Sequence, residues 1–319
     1  MTNTRIIMAK RLLTLFILLF NVCLYSQSFT SIWNTVNTSG GSSANNEVTI
    51  PTNPAYTAYN YTVDWGDGNT DTGVTGNITH AYAVPGIYTI AISGIFPSIY
   101  FNETGDRNKI IEIISWGDIQ WQTMENAFYS CENINFDAIN APDLSQVTSL
   151  KNMFRECASF NGILNNWDVS TITDISGMFA EAEIFNRPLD LWNTINVTDM
   201  SWVFHRARRF NEPLDNWNTS SVVTMEYLFS EAGSFNQNIN NWDVSQVTNM
   251  SGTFRYTYNY DSPLNTWNVA NVTDMSGMFQ GSSFNQPISN WIVDNVTNMS
   301  AMFRESLFNY PIEIWNVSK

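Results

Sequence analysis

The sequence predicts a mixed fold in two parts, an N-terminal all-β, immunoglobulin-like sandwich followed by a β/α solenoid with short parallel strands. Three observations predict it. A charged, then apolar leader opens the chain, strand-like alternation punctuated by Gly/Asp turns fills roughly Ser28 to Arg107, and one aromatic and aliphatic pattern recurs from Lys109 to Lys319. The corresponding divisions are 1–27, 28–108 and 109–319.

The leader carries Arg5, Lys10 and Arg11 ahead of the apolar run from Leu12 to Val22. That order describes a signal peptide, and the run is shorter than the roughly 20 residues a membrane span needs. Met8-Ala9-Lys10-Arg11 offers a second start. Cys23 follows Asn21-Val22, a poor lipidation context, so cleavage near Ser26 or Gln27 is expected, with a secreted or cell-surface chain and no membrane insertion afterwards. The whole chain has a formal net charge of −15, and loss of three leader cations would leave −15 − 3 = −18. Such a charge repels nucleic acid and anionic headgroups, so neither is an expected partner.

In the front segment, Tyr59 to Asp64 reads as a strand entering the tight turn Trp65-Gly66-Asp67-Gly68. Thr79-His80-Ala81-Tyr82 leads to Gly86-Ile87-Tyr88 and an alternating run to Gly94. Short strands with such turns indicate a β-sandwich. Asp64, Asp67 and Asp71 crowd the turn, where oxygen-rich loops suit calcium and local Asx hydrogen bonds are the plainer use. His80 reads as a structural turn residue.

The repeat is the strongest signal. Trp recurs at 167, 192, 217, 242, 267, 291 and 315, Phe at 128, 154, 179, 204, 229, 254, 279 and 303, and Met or an aliphatic residue at 124, 150, 175, 200, 225, 250, 275 and 299. A unit of about 25 residues is too small to bury its own apolar face, so copies must stack. Segments such as Val197 to Ser201 read as short parallel strands, with rungs roughly 4.8 Å apart. The spacing Met-Phe-x-x-Ala-x-x-Phe predicts a helical or 3₁₀ return, and Asn-x-Pro a corner. Strict periodicity assigns the tryptophans to core packing rather than to a sugar platform. The Asn column (161, 186, 211, 236, 285, 309) is read as a structural ladder of stacked amides.

Cys131 and Cys157 occupy equivalent slots in adjacent repeats, elsewhere filled by Ala182, Ala207 and Ala232. One rung of separation lies within disulfide reach, and export supplies an oxidising compartment. The sequence leaves two readings, a Cys131–Cys157 bridge or two reduced, buried thiols.

Trp65-Gly66-Asp67-Gly68, His80-Ala81-Tyr82 and Gly86-Ile87-Tyr88 resemble a PKD-like domain over about 60 residues. The unit Val-Thr-[Asp/Asn]-Met-Ser-x-Met-Phe followed by Phe-Asn-x-Pro resembles the BspA-type leucine-rich repeats (the DUF285 repeat type) of bacterial surface proteins, and the combination is similar to flavobacterial members. The resemblance implies export, a place on the exterior of the outer membrane or outside the cell, and adhesion or binding of an extracellular protein or polysaccharide. The chain stops at Trp315-Asn316-Val317-Ser318-Lys319, within a repeat and without a polar cap, which reads as a fragment or an incomplete gene model.

No chemistry assembles. The two histidines, His80 and His205, fall in different parts, so no nucleophile–base constellation is available, and no zinc-type spacing occurs. His205 shares a slot with Arg155, Ala180, Ser230 and Arg255, which reads as variable surface. The carboxylates follow the period. No enzyme activity and no cofactor are expected, and nothing fixes an oligomeric state. The expected binding face is the row Thr173, Asp174, Thr198, Asp199, Thr248, Asn249, Thr273 and Asp274, short polar side chains displayed by successive rungs, with a merely solvated face as the other reading.

Overall fold

The computed structural model describes residues 27–136, 138 and 140–317. The segment 1–27 expected to be a signal peptide lies, apart from Gln27, outside them. The front part holds seven strands: β1 (Phe29–Asn34), β2 (Glu47–Ile50), β3 (Asn60–Asp64), β4 (Thr70–Val74), β5 (Ile78–Ala81), β6 (Ile87–Ile95) and β7 (Ile110–Ser115). They form a five-stranded sheet in the order β4-β3-β6-β1-β7 and a two-stranded sheet of β2 and β5. All pairings between these strands are antiparallel. Alternation along β3 places Tyr61 and Val63 in the core and Asn60 and Asp64 outside.

The strand β7 lies beyond the boundary at 108 drawn from sequence. It pairs with β1 on one side, and its Glu112 forms a parallel bridge to Asn135 on the other. The first rung therefore covers what would be an open sheet edge. Aromatic rings continue through the joint: Phe29 meets Trp121 at 5.4 Å, Trp33 meets Phe101 at 5.7 Å, and Phe101 meets Phe128 at 6.2 Å.

The repeat departs from the expected β/α solenoid with parallel strands. Every named strand belongs to the front part, and among the described residues no helix is present. Neighbouring rungs touch through one parallel bridge each, along the line Ser149, Asp174, Asp199, Thr224, Asn249, Asp274 and Asn298. The expected helical return is a run of overlapping tight turns. Met153 N–H donates to Leu150 O, Arg155 N–H to Asn152 O, and Cys157 N–H to Phe154 O. The alternate residues point their N–H groups to the next rung, Asn152 to Ser176, Phe154 to Met178 and Glu156 to Ala180. A helix would consume those donors internally. Here they tie rung to rung, and the apolar spacing that resembles a helix is satisfied by turns instead.

Stacked columns fill the interior. The Phe rings of successive rungs lie 5.6–6.2 Å apart and nearly parallel. The Trp column is buried, and from Trp192 to Trp315 each indole N–H reaches back to a carbonyl of the preceding rung, as Trp217 Nε1 does to Leu189 O at 3.0 Å.

The Asn ladder works differently from stacked amides. Each Oδ1 accepts the backbone N–H of its counterpart on the next rung: Asn161 from Asn186 (2.9 Å), Asn186 from Asn211 (2.8 Å), Asn211 from Asn236 (2.9 Å). Asp261 continues the ladder, giving to Asn236 and accepting from Asn285. Only an acceptor is needed, so Asn211→Asp is expected to leave stability nearly unchanged. Asn211→Ala is expected to cost about 0.5–1.5 kcal/mol, read by urea unfolding.

Candidate functional site

The turn segment of every rung contains two residues in the left-handed backbone region, and these line up into two columns. The first holds Asn126, Asn152, Gly177, Trp202, Tyr227, Gly252, Gly277 and Ala301, with φ from 52° to 64°. The second holds Ser130, Glu156, Glu181, Arg206, Glu231, Tyr256, Gly281 and Glu305. This conformation costs an ordinary L-residue about 1–2 kcal/mol, and Gly or Asn far less. Most of the first column obeys that economy. Trp202, Tyr227 and Ala301 do not, and for the two large rings the fold offers no reason.

Their rings lie together on the surface. Trp202 and Tyr227 stack at 4.4 Å and 26°. Tyr227 then lies over Gly252, where a Cβ would come within 2.5 Å of its ring. In the second column Tyr256 lies over Gly281 in the same way, with the Arg255 guanidinium 5.0 Å from its ring centroid. Glycine on the following rung is what lets each ring lie flat. Tyr258 adds a further ring, 63% exposed.

Two grooves adjoin these rings. One, of about 390 Å³, is lined by Lys151, Asn152, Arg155, Ser176, Gly177, Asp199, Ser201 and Trp202. The other, of about 530 Å³, is lined by Arg208, Glu231, Gly233, Tyr256 and Tyr258. Three of the arginines between and around them are paired with carboxylates. Arg206 sits 3.0 Å from Glu231 and 3.5 Å from Glu181, Arg208 lies 3.6 Å from Glu183, and Arg155 lies 3.5 Å from Glu156. Burial, with Asp274 and Asp199 nearby, pushes the Glu226 carboxyl above its ordinary range.

His205 is not a surface residue. It is 7% exposed, packs edge-on against Trp202 at 4.8 Å, and its Nδ1 has no hydrogen-bond partner. Burial lowers its pKa to about 4. The same slot is buried in other rungs as well, at Ala180, Ser230 and Gln280.

Trp202→Gly is expected to change stability by less than about 1 kcal/mol. Relief of the left-handed backbone opposes loss of a ring stack worth about 0.5–1.5 kcal/mol. Urea titration of the variant checks this; a loss above about 3 kcal/mol would make Trp202 a structural residue.

The row expected from sequence is brought together, with much of its hydrogen bonding directed within the stack. Thr173, Thr198, Thr248 and Thr273 each donate Oγ1–H to a carbonyl of the preceding rung at 3.1–3.3 Å. Asp174, Asp199, Asn249 and Asp274 each use Oδ1 to accept the N–H two residues on, from Ser176, Ser201, Ser251 and Ser276. Asp199 alone among them also lines the groove beside Trp202.

In the front part, Asp64 accepts Gly66 N–H, Asp67 accepts Asn69 N–H and meets His80 Nε2 at 2.9 Å, and Asp71 accepts the Trp65 indole N–H. The His80 ring stacks on Trp65. No group of three or more His, Cys, Asp or Glu side chains able to hold a metal occurs among the described residues. The bridge considered between Cys131 and Cys157 is not formed: both thiols are free and buried, and Cys157 Sγ–H donates to Phe128 O. Desolvation raises the pKa of both, which leaves them unreactive.

The rungs that carry these rings fall within a recognised family. A family model described as "Mycoplasma protein of unknown function, DUF285" matches residues 122–241 and, overlapping, 223–319. The chain belongs to this family. The matched DUF285 repeats contain both left-handed columns and all four surface rings, whereas the front sheets lie outside the match. Comparison with curated proteins and with solved structures gave no match.

Trp202, Tyr227, Tyr256 and Tyr258 escape a reading based on periodicity because they are departures from it. The signal that finds them is the slot itself: Asn or Gly in five of eight rungs of the first column marks a left-handed residue, and a large ring there is an anomaly.

Proposed function

We propose that this DUF285 protein is exported to the bacterial surface and binds an extended extracellular ligand, protein or polysaccharide, through contacts spread along its repeats. The reading is one of binding without catalysis. The stacked pair Trp202–Tyr227 carries it, since two large, partly exposed rings stand where the backbone favours glycine or asparagine. Strained residues that the fold does not require are characteristic of functional surfaces. The leader, the PKD-like front motifs and the resemblance to flavobacterial BspA-type surface proteins support the location, and a front module of that kind serves as spacer or second contact.

A second reading has its own observation. The Thr and Asp/Asn row hydrogen-bonds largely within the stack, as expected of a stalk with no tight ligand. The test is a binding panel of polysaccharides and matrix proteins, with and without calcium, on the chain from Ser28 onward, its Trp202→Gly/Tyr227→Gly double variant, and a Thr198→Lys/Thr248→Lys variant. Saturable binding lost in the ring variant supports the proposal. Loss only in the Thr variant moves the site to that row, and silence from folded protein leaves the stalk.

A further inference from the structure

The groove that borders Trp202 has a cationic wall that no contact within the repeat uses. We infer that this groove is a subsite for a hexuronic acid unit carried singly on an otherwise neutral polysaccharide. Lys151 and Arg155 hold the sugar carboxylate, and Ser176 and Asp199 bind its hydroxyls. The inference rests on the surface-binding reading above and names the class of ligand.

Three successive rungs shape the groove. The slot of Lys151 is serine in five other rungs, at 176, 201, 251, 276 and 300, and that of Arg155 is Ala180 in the next rung. Two long cations therefore stand on one rung, the small Ser176, Gly177 and Ala180 on the second, and Trp202 on the third. Two rung spacings, roughly 10 Å, separate the side walls, and the space between them is about 390 Å³. Gly177 keeps the floor low. Its φ is 64°, and a Cβ there would lie 2.2 Å from Asn152 Oδ1, which leans over it.

The cationic wall has donors without partners. Lys151 is exposed, and its ammonium makes no ion pair or hydrogen bond among the described residues. Arg155 meets Glu156 through Nε at 3.5 Å, and its two terminal nitrogens form no hydrogen bond among the described residues. Glu156 is itself engaged by Tyr129 OH and Ser130 Oγ, both at 3.2 Å. In the floor, Ser176 is 7% exposed and its Oγ has no partner. A buried hydroxyl of that kind calls for one, and a change of rotamer can present it to a ligand. On the opposite side, Asp199 uses Oδ1 for Ser201 N–H at 2.8 Å, which leaves Oδ2 as an acceptor.

This polarity selects the ligand. A hexuronic acid bears its carboxylate on C5 and hydroxyls on C2 and C3, so the ring presents an anion to one side and neutral donors to the other. Lys151 and Arg155 match the first as charge-assisted donors, and the Asp199 carboxylate accepts from the second while repelling another anion. The net charge of −15 opposes a densely charged polyuronate, so an isolated uronate on a neutral backbone fits better than a run of them. An acidic peptide fits less well. Strand addition needs an open row of backbone donors, and here the next rung takes them, Asn152 N–H by Ser176 O, Gly177 N–H by Ser201 O and Trp202 N–H by Glu226 O.

The experiment is biolayer capture, on the chain from Ser28 onward, of glucuronoxylan, the same polymer with its uronates reduced to neutral sugars, polygalacturonate, and hexaglutamate. It is repeated on Lys151→Ser, Arg155→Ala, the Trp202→Gly/Tyr227→Gly double variant, and Arg209→Gln. Arg209 is an exposed arginine that lines neither groove and serves as the charge-matched control. The first two changes install residues that the repeat itself uses in those slots, and circular dichroism with thermal unfolding checks that every variant is folded. Glucuronoxylan should bind saturably, and the reduced polymer and polygalacturonate at least tenfold more weakly. Lys151→Ser and Arg155→Ala should each lower glucuronoxylan affinity about tenfold, as loss of a charged hydrogen bond does, and Arg209→Gln should leave it unchanged. Equal binding of the reduced polymer overturns the inference, as does glucuronoxylan binding indifferent to Lys151→Ser and Arg155→Ala, or a preference for polygalacturonate. Capture of hexaglutamate alone, lost in Lys151→Ser, overturns the sugar assignment. Capture lost only in the ring double variant overturns the inference while keeping the surface-binding reading. No capture of any probe by folded protein also overturns it, and the surface-binding reading then stands or falls on the wider panel of polysaccharides and matrix proteins.

Discussion

Lys109→Met is expected to cost about 3–5 kcal/mol of stability, the range for breaking a buried ion pair. Lys109 lies just before β7 with no solvent exposure, 3.2 Å from an equally buried Asp106 carboxylate. Its ammonium donates to Ser43 O, Ser43 Oγ, Ala44 O and Glu47 O at 2.8–3.1 Å. Asp106 accepts from Ser43 N–H, Ser43 Oγ–H and Thr49 N–H. The pair thus ties the start of β7 to the chain entering β2. Methionine fills a similar volume but leaves a carboxylate dry and uncompensated, with the carbonyls of residues 43, 44 and 47 losing their donor. Urea unfolding followed by tryptophan fluorescence measures the loss. The Asp106→Asn/Lys109→Met double variant should lose less than the sum of the two single changes. A loss below about 1 kcal/mol for Lys109→Met would show that the pair contributes little.

Phe204→Ala is expected to cost a further-reaching 3–5 kcal/mol, about the usual range for a buried phenylalanine. The ring is fully buried, with Phe179 at 5.8 Å, Phe229 at 5.6 Å, Phe210 at 3.9 Å and Trp217 at 6.1 Å. In a stack where each rung touches only its neighbours, removing a central ring weakens two interfaces at once. Unfolding should therefore separate into two transitions, since the rungs on either side lose their coupling. Phe303→Ala makes the comparison, because Phe303 is only partly buried and stacks on a single rung partner, Phe279. It should cost less and leave the main transition single. A smaller loss for Phe204→Ala than for Phe303→Ala would contradict the stacking account.

The columns were legible because they recur: Trp167 to Trp315 and Phe128 to Phe303 announce burial by their spacing alone. What the spacing did not reveal was the backbone beneath. Apolar residues such as Met153, Phe154, Cys157 and Phe160 lie at helix-like intervals, and overlapping turns place them inward just as well. The sign of φ at Asn152 and Glu156 excludes the helix, and only the recurrence of Asn and Gly in one slot hints at it. The Asn ladder was visible as a column, but its chemistry emerges from Asp261, where a carboxylate serves because acceptance alone is required. The expected binding row was found as a row, while the rings of the candidate site lay where the repeat is irregular. His205 was misread because the mixed residue types of its slot suggest surface, although Ala180, Ser230 and Gln280 are buried there as well.

The covering of β7 by the first rung has a mechanical consequence. Hydrogen bonds between rungs run along the stack, so tension applied from end to end peels rungs singly from the side that is pulled. Each rung of about 25 residues would release roughly 80 Å of contour as it yields. The front sheets, whose strands are bonded across the chain direction and clasped by Lys109 and Asp106, form the anchor from which rungs can wind back. A chain held at one end and loaded at the other would lengthen in steps under a nearly constant force and recover.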